Sequence, residues 1–265
     1  MRILFLILLF ILGACFGSFL CCEARRLHAR NAKKKIKSKR SVCLSCGYQL
    51  KWYDNLPIIS WLFLGGKCRK CHQKIGLAEI IAELCMAVSF LAIGTTIDIF
   101  ATSPLSWAIF IITLLLILSL GFSAIYDGIY GELPTSYLII SIIIAIIIMV
   151  LKESEIFLSS QFSASLIYNP LLSIFILGGL YLLLYLISKG KWVGNGDWLL
   201  GLALGLTLVS PWLALINLFL ANILACLVMA PFMKHKKTKK IYFGPFMVIA
   251  FIITLTFAKF FESML

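Results

Sequence analysis

The sequence predicts an all-α polytopic membrane protein with about eight transmembrane helices and a cytoplasmic zinc-ribbon-like loop after the first helix. Three observations carry this. Hydrophobic residues make up 62% of the 265 positions, against about 45–50% in soluble domains. They gather into long runs, and a spanning helix needs about 20 such residues. Four cysteines collect in one polar loop near the N-terminus.

The runs lie at roughly 3–22, 77–98, 105–126, 134–151, 170–187, 197–210, 211–233 and 244–262. They divide the chain into a first transmembrane helix (1–22), a basic four-cysteine loop (23–76) and a seven-helix membrane domain (77–265). The sixth run is short and stops before Pro211. Charge decides how it is read, because Lys and Arg stay on the cytoplasmic side. If all eight runs cross and loop 23–76 is cytoplasmic, inside segments hold fourteen Lys/Arg in that loop, two around Lys189 and five in "KHKKTKK". Only Arg2, Lys152 and Lys259 remain outside. Deleting the sixth crossing moves "KHKKTKK" outside, so the chain is expected to turn back near Pro211.

The first run has a rival reading. "MRILFLILLFILGAC" resembles a signal peptide, and "LGAC" a lipoprotein cleavage site. The apolar run continues through "FGSFLCC", and the basic flank follows it, which favours an uncleaved anchor with its N-terminus outside. The net charge of +13 is concentrated at the membrane edge rather than spread over a soluble domain, so membrane lipid, not nucleic acid, is the expected partner.

Two acids stand out. Asp127 closes the third run in "SAIYDGIYGELP", and Asp197 opens the sixth in "GNGDWLL". In this topology both lie at the cytoplasmic membrane edge, each beside glycines that permit close backbone approach. Ionisable residues there are costly and commonly functional. Two carboxyl groups brought together share a proton. The ionised one can take a proton from water while the protonated one polarises a carbonyl, which is aspartic peptide hydrolysis. Taken singly, each Asp could equally cap a helix or bind a headgroup. Glu79 and Glu83 share a helix face and are expected to pair with loop Lys or Arg. Glu132 is expected to be solvated, and Asp98 sits at an outer helix end.

The loop carries Cys43-x2-Cys46, then 21 residues, then Cys68-x2-Cys71. Paired knuckles of this kind signal tetrahedral zinc. Disulfides are the rival, which a reducing cytoplasm disfavours. Four thiolates leave no open coordination position, so the zinc is read as structural. His72 is not needed as a ligand. The intervening "WYDNLPIISWLFLGG" is amphipathic and suits the membrane interface.

Together these segments resemble the prepilin peptidases, the type IV leader peptidases, over nearly the whole chain. "GSFL" at 17–20, the four cysteines with "WYDNLPIISWL" and "GKCRKC", "YDGIYGELP", "GNGD" and "FGPF" at 243–246 follow the family order. The resemblance implies a bacterial inner-membrane enzyme of the GxGD aspartic protease type. Asp127 and Asp197 would be its catalytic pair, and Cys43, Cys46, Cys68 and Cys71 its zinc ligands. It would cut the basic leader from prepilin or pseudopilin substrates at the cytoplasmic face. It would also N-methylate the new N-terminus if it uses S-adenosylmethionine, for which the chain shows no glycine-rich motif. Leu199, Thr135 and Gly65 depart from the family pattern at positions often Lys, acidic and Arg. Competing readings are a signal peptide peptidase-like GxGD protease, an ion-coupled transporter using both aspartates, and a non-catalytic zinc-loop scaffold. Oligomeric state and the choice among pilin-like substrates are not readable.

Overall fold

A computed structural model describes residues 1–33, 41–43, 45–97, 103–158, 165–191, 193–233 and 242–263. The expected Asp98 and the "KHKKTKK" segment lie outside the described residues. The described chain is helical, with only two isolated antiparallel bridges and no strand. It forms two compact units, 1–94 and 95–265.

The first unit is built on an antiparallel pair, α1 (Arg2–Asn31) and α3 (Leu77–Thr96). Small residues let the two backbones meet, as in membrane helix pairs generally. A Cβ on Gly13 would stand 2.5 Å from the Met86 carbonyl oxygen, and one on Gly17 would stand 2.6 Å from Glu83 Cα. Phe16 packs on Phe90 with ring centroids 5.8 Å apart. α1 runs past its apolar stretch to Asn31, where Arg25 pairs with Glu79. Between the two helices lie a 3-10 turn (Trp52–Asn55) and the short helix α2 (Ile59–Phe63).

The second unit contains α4 (Pro104–Tyr130), α5 (Thr135–Leu158), α6 (Ser165–Ile174), α7 (Leu180–Ser188), α8 (Asn195–Leu208), α9 (Pro211–Met233), α10 (Gly244–Thr256) and α11 (Ala258–Glu262). Ser103 caps α4 by accepting the Ser106 N–H at 3.2 Å. Gly131, at φ 74, closes its other end and donates to the Asp127 carbonyl at 2.7 Å. The following Leu133-Pro134 turn starts α5. Phe122 stacks on Tyr137 at 3.9 Å, and Ser141 Oγ donates to Ser119 Oγ at 2.8 Å, joining α4 to α5. A π-helical turn, Phe175–Gly179, links α6 to α7.

Among the described residues six helices are long and apolar enough to cross a membrane. The sixth and eighth apolar runs form the shorter α8 and α10. α8 has 14 residues, or about 21 Å at about 1.5 Å per residue, against a hydrocarbon core of about 30 Å. It stops where Val209 takes φ 64, and α9 starts at Pro211. That is the break expected near Pro211. The last run is interrupted at Phe257 rather than continuous.

α8 is the centre of this unit. Gly201 approaches the Leu177 carbonyl, and a Cβ on Gly205 would stand 2.8 Å from the Ser173 carbonyl oxygen. Ser173 Oγ returns a hydrogen bond to the Gly205 carbonyl at 2.9 Å. Lys152 Nζ donates to the Thr207 carbonyl at 2.9 Å, satisfying the end of the helix with a cation. Gly201→Ile and Gly205→Ile should therefore each destabilise the protein by about 1–3 kcal/mol, the usual cost of overpacking. Gly128→Ala, whose Cβ would meet only Pro245 Cγ at 3.7 Å, should leave stability unchanged. Thermal unfolding in detergent reads all three.

Candidate functional site

Asp127 and Asp197 reach one site from different elements. Asp127 lies in the last turn of α4 and is buried. Its Oδ2 accepts the Gly244 N–H, at the start of α10, at 3.0 Å. Asp197 is the third residue of α8 and half-buried. Its Oδ2 accepts the Gly194 N–H, just before that helix, at 2.8 Å. An anionic side chain in a first helical turn also meets the positive end of the helix dipole.

Leu133 sits between the two anchors. A Cβ on Gly244 would stand 3.2 Å from Leu133 Cδ2 and 2.8 Å from Asp127 Oδ2. One on Gly196 would stand 2.8 Å from Leu133 Cδ1. The Leu133 turn therefore packs against both glycine segments, and each segment supplies or precedes an aspartate anchor. The Asp197 charge reaches Asp127. Among the described residues neither carboxylate has an ion-pair partner. Each carboxylate has its Oδ2 held by a glycine N–H.

The four cysteines also converge, within the first unit. Their sulfurs lie within 4.8 Å of one another, with Cys43 Sγ 3.8 Å from Cys71 Sγ. Tetrahedral thiolates at about 2.3 Å from a metal imply sulfurs about 3.8 Å apart, so the cluster can hold a metal ion. The two knuckles repeat one backbone pattern. Gly47 and His72 N–H groups each donate at 2.9 Å, to the Cys43 and Cys68 carbonyls. Cys43 N–H donates to Tyr48 and Cys68 N–H to Gln73. Gly47 and His72 both take the left-handed conformation, φ 70 and 55. His72 is thus an exposed turn residue. The Cys46 N–H lowers the Cys43 thiol to about 6. Cys71, although the Gln73 N–H favours its thiolate, is pushed up to about 11 by desolvation and the neighbouring sulfurs.

Other acids are structural. Glu79 pairs with Arg25 as expected. Glu83 departs from expectation: it is buried and accepts the Ile58 backbone N–H at 2.7 Å, not a loop Lys or Arg. Ile58 takes φ 62 ahead of α2, which leaves its N–H free to be used this way. Glu132 is exposed.

Asp54 escaped the sequence reading. It is buried between the knuckles, accepting Arg69 Nε at 2.6 Å and the Lys51 N–H at 3.2 Å. Arg69 belongs to the second knuckle and lies 5.0 Å over the Tyr53 ring. Burial pushes the Asp54 carboxyl up, but the Arg69 and Lys51 donors outweigh it and hold it below its ordinary value. The signal was an acid between the two knuckles of a basic loop.

A family model described as the Bacterial Peptidase A24 N-terminal domain matches residues 11–97. The chain is 42% identical over 89 residues to a prepilin leader peptidase/N-methyltransferase of Vibrio cholerae, covering 32% of this chain and 35% of that protein. It is 39% identical over 89 residues to a protein of the same name from Myxococcus xanthus, covering 34% and 26%. It is 30% identical over 217 residues to another from Dichelobacter nodosus, covering 82% and 71%. The first two alignments thus span well under half of those relatives. No solved structure matches the chain.

Asp54→Ala should loosen the link between the knuckles and speed alkylation of the four thiols by roughly tenfold, as loss of a buried charged partner predicts. Because the Asp54 value is depressed, its contribution is complete above the ordinary carboxyl range and fades as pH falls through the lowered value. The difference between variant and wild type should therefore hold from about pH 5 to 8, as alkylation time courses across that range will read.

Proposed function

The chain belongs to the prepilin leader peptidase/N-methyltransferase family, and on that premise we propose that it is an aspartic endopeptidase. In this reading Asp127 and Asp197 hydrolyse the leader peptide of prepilin-like proteins at the cytoplasmic face of a bacterial inner membrane, with the N-terminus outside. The observation that carries it is the shared design of the two carboxylates. Each is fixed through Oδ2 by one glycine N–H, with no ion-pair partner among the described residues.

The pair holds one proton. The ionised carboxylate takes a proton from water as its oxygen attacks the scissile carbonyl carbon, and the other donates its proton to the carbonyl oxygen. Collapse of the tetrahedral species breaks the C–N bond, with a proton returned to the leaving nitrogen. One carboxylic acid and one amine result. Asp127 and Asp197 need no metal for this step.

Cys43, Cys46, Cys68 and Cys71 bind one structural zinc ion in the same proposal. A four-thiolate site supplies cross-linking rather than catalysis, since no position stays open for water. Asp54 and Arg69 then orient the knuckles around it. The N-methylation in the relatives' names extends to this chain as a second proposed activity, drawing on S-adenosylmethionine.

Co-expression with a prepilin, followed by mass spectrometry of the product's N-terminus, tests both activities. Asp127→Asn and Asp197→Asn should each abolish cleavage while the protein remains inserted. Normal processing by either variant refutes the pair. A wild-type product cut after the leader and heavier by one methyl group supports the second activity; an unmodified N-terminus refutes it.

The metal is tested separately. Purified protein should contain about one zinc per chain, and Cys43→Ser should lose it. Metal-free protein with oxidised cysteine pairs is the contrary result.

A further inference from the structure

In the proposed chemistry one protonated carboxyl group serves the carbonyl oxygen, which has a second lone pair able to accept another hydrogen bond. The Gly194 and Gly244 N–H groups are already spent on Asp197 and Asp127. Trp198 Nε1 is spent on Asn195 Oδ1 at 3.0 Å. One polar group beside the site is not spent. Tyr181 is 5% exposed, and its hydroxyl is buried with no hydrogen-bond partner among the described residues. Asn222 approaches it without meeting hydrogen-bond geometry, and donates its own amide to the Leu218 carbonyl at 2.7 Å.

The Tyr181 ring lies between α8 and Phe243. A Cβ on Gly201 would stand 3.2 Å from Tyr181 Cδ2. Gly201 lies four residues after Asp197, on the same face of α8. On another side, Tyr181 meets Phe243 at 5.8 Å between centroids, and Phe243 immediately precedes the Asp127 anchor Gly244. The Asp197 charge reaches the phenol. Tyr181 also follows the π-helical turn, which carries more residues per turn than an α-helix and so shifts the face that α7 presents. Gly178, inside that turn, lies against the α8 backbone at Leu202.

A buried hydroxyl without a partner lowers stability. Such a group persists when a ligand completes it. We propose that Tyr181 is a further catalytic residue, whose hydroxyl donates a hydrogen bond to the carbonyl oxygen of the peptide bond under attack. An ordinary phenol, with a pKa of about 10, is protonated at neutral pH and suited to donate. Packing against α8 at Gly201 and against Phe243 fixes the ring, so a donor is in place once substrate reaches the covered hydroxyl. This inference rests on the Asp127–Asp197 reading.

Tyr181→Phe tests it, because the hydroxyl is the only group removed. With a prepilin substrate in detergent, kcat should fall roughly 100-fold, as for loss of one oxyanion donor, with KM unchanged. The unfolding temperature should stay level or rise, since an unpaired buried hydroxyl has been deleted. Tyr181→Leu should show the same fall in kcat with reduced stability, separating the hydroxyl from the ring. A Tyr181→Phe enzyme with wild-type kcat overturns the inference. So does a rise in KM alone, which would place the hydroxyl on another part of the substrate. A drop in stability on Tyr181→Phe also overturns it, since the hydroxyl would then be satisfied in the resting protein. Asp127→Asn, assayed alongside, keeps the two readings apart. If it is inactive while Tyr181→Phe is fully active, only the tyrosine assignment falls; if it cleaves normally, both fall.

Discussion

An acidic side chain packed among helices without a cation needs a fixed dipole or a bound proton. In this protein that dipole is a single backbone N–H at each aspartate. Asp127 depends on Gly244, which belongs to a different helix more than a hundred positions later in the chain. The contact exists because Gly244 has no side chain; a Cβ would collide with the carboxylate oxygen it now serves. Leu133 fills the space between Gly244 and Gly196, so the same close packing that anchors Asp127 also sets the start of α8. The glycines of "GNGD" and "FGPF" are thus a packing requirement of the carboxylate pair, not only a source of backbone freedom.

α8 is shaped by this demand. A helix too short for a full crossing can begin at the depth where Asp197 is needed and still be complete if both ends are satisfied. Asp197 lies in its first turn, and Lys152 donates to the Thr207 carbonyl in its last. The two charges match the two ends of the helix dipole. Gly201 and Gly205 then press the helix against the segment from Ser173 to Leu177. The depth and rotation of Asp197 are therefore fixed from both ends and along one side.

The parts legible in the sequence are those written in local pattern. Apolar runs located every long helix, and the paired Cys-x-x-Cys spacing located a cluster whose sulfurs do meet. Asp127 and Asp197 stood out because a charge beside glycines interrupts an apolar run. The remainder is a property of contacts between distant segments. Lys152 read only as a lone outside charge, and its carbonyl partner lies on another helix. Asp54 looked like part of an amphipathic surface, since only the folded knuckles bring Arg69 to it. Glu83 is spent on a backbone N–H that is free because Ile58 takes an unusual conformation, which its residue type does not announce. Nothing in "GLYLLLYL" separates Tyr181 from Tyr185; a π-helical turn before it does.

The family-model match and the aspartate pair fall in different units of this molecule, while the Dichelobacter nodosus relative aligns over 217 residues and so reaches both units. The family-model match, residues 11–97, falls almost wholly within the unit that ends at Gly94. That unit holds the four cysteines and the Asp54 pairing, but neither Asp127 nor Asp197. Both aspartates, their glycine donors, Leu133 and Tyr181 belong to the unit from Thr95 onward. In the proposed function the groups that move protons at the peptide bond all belong to the second unit. A four-thiolate metal site has no open position with which to join them. In the proposed function bond breaking belongs to Asp127 and Asp197, which lie outside the residues that the family model matches.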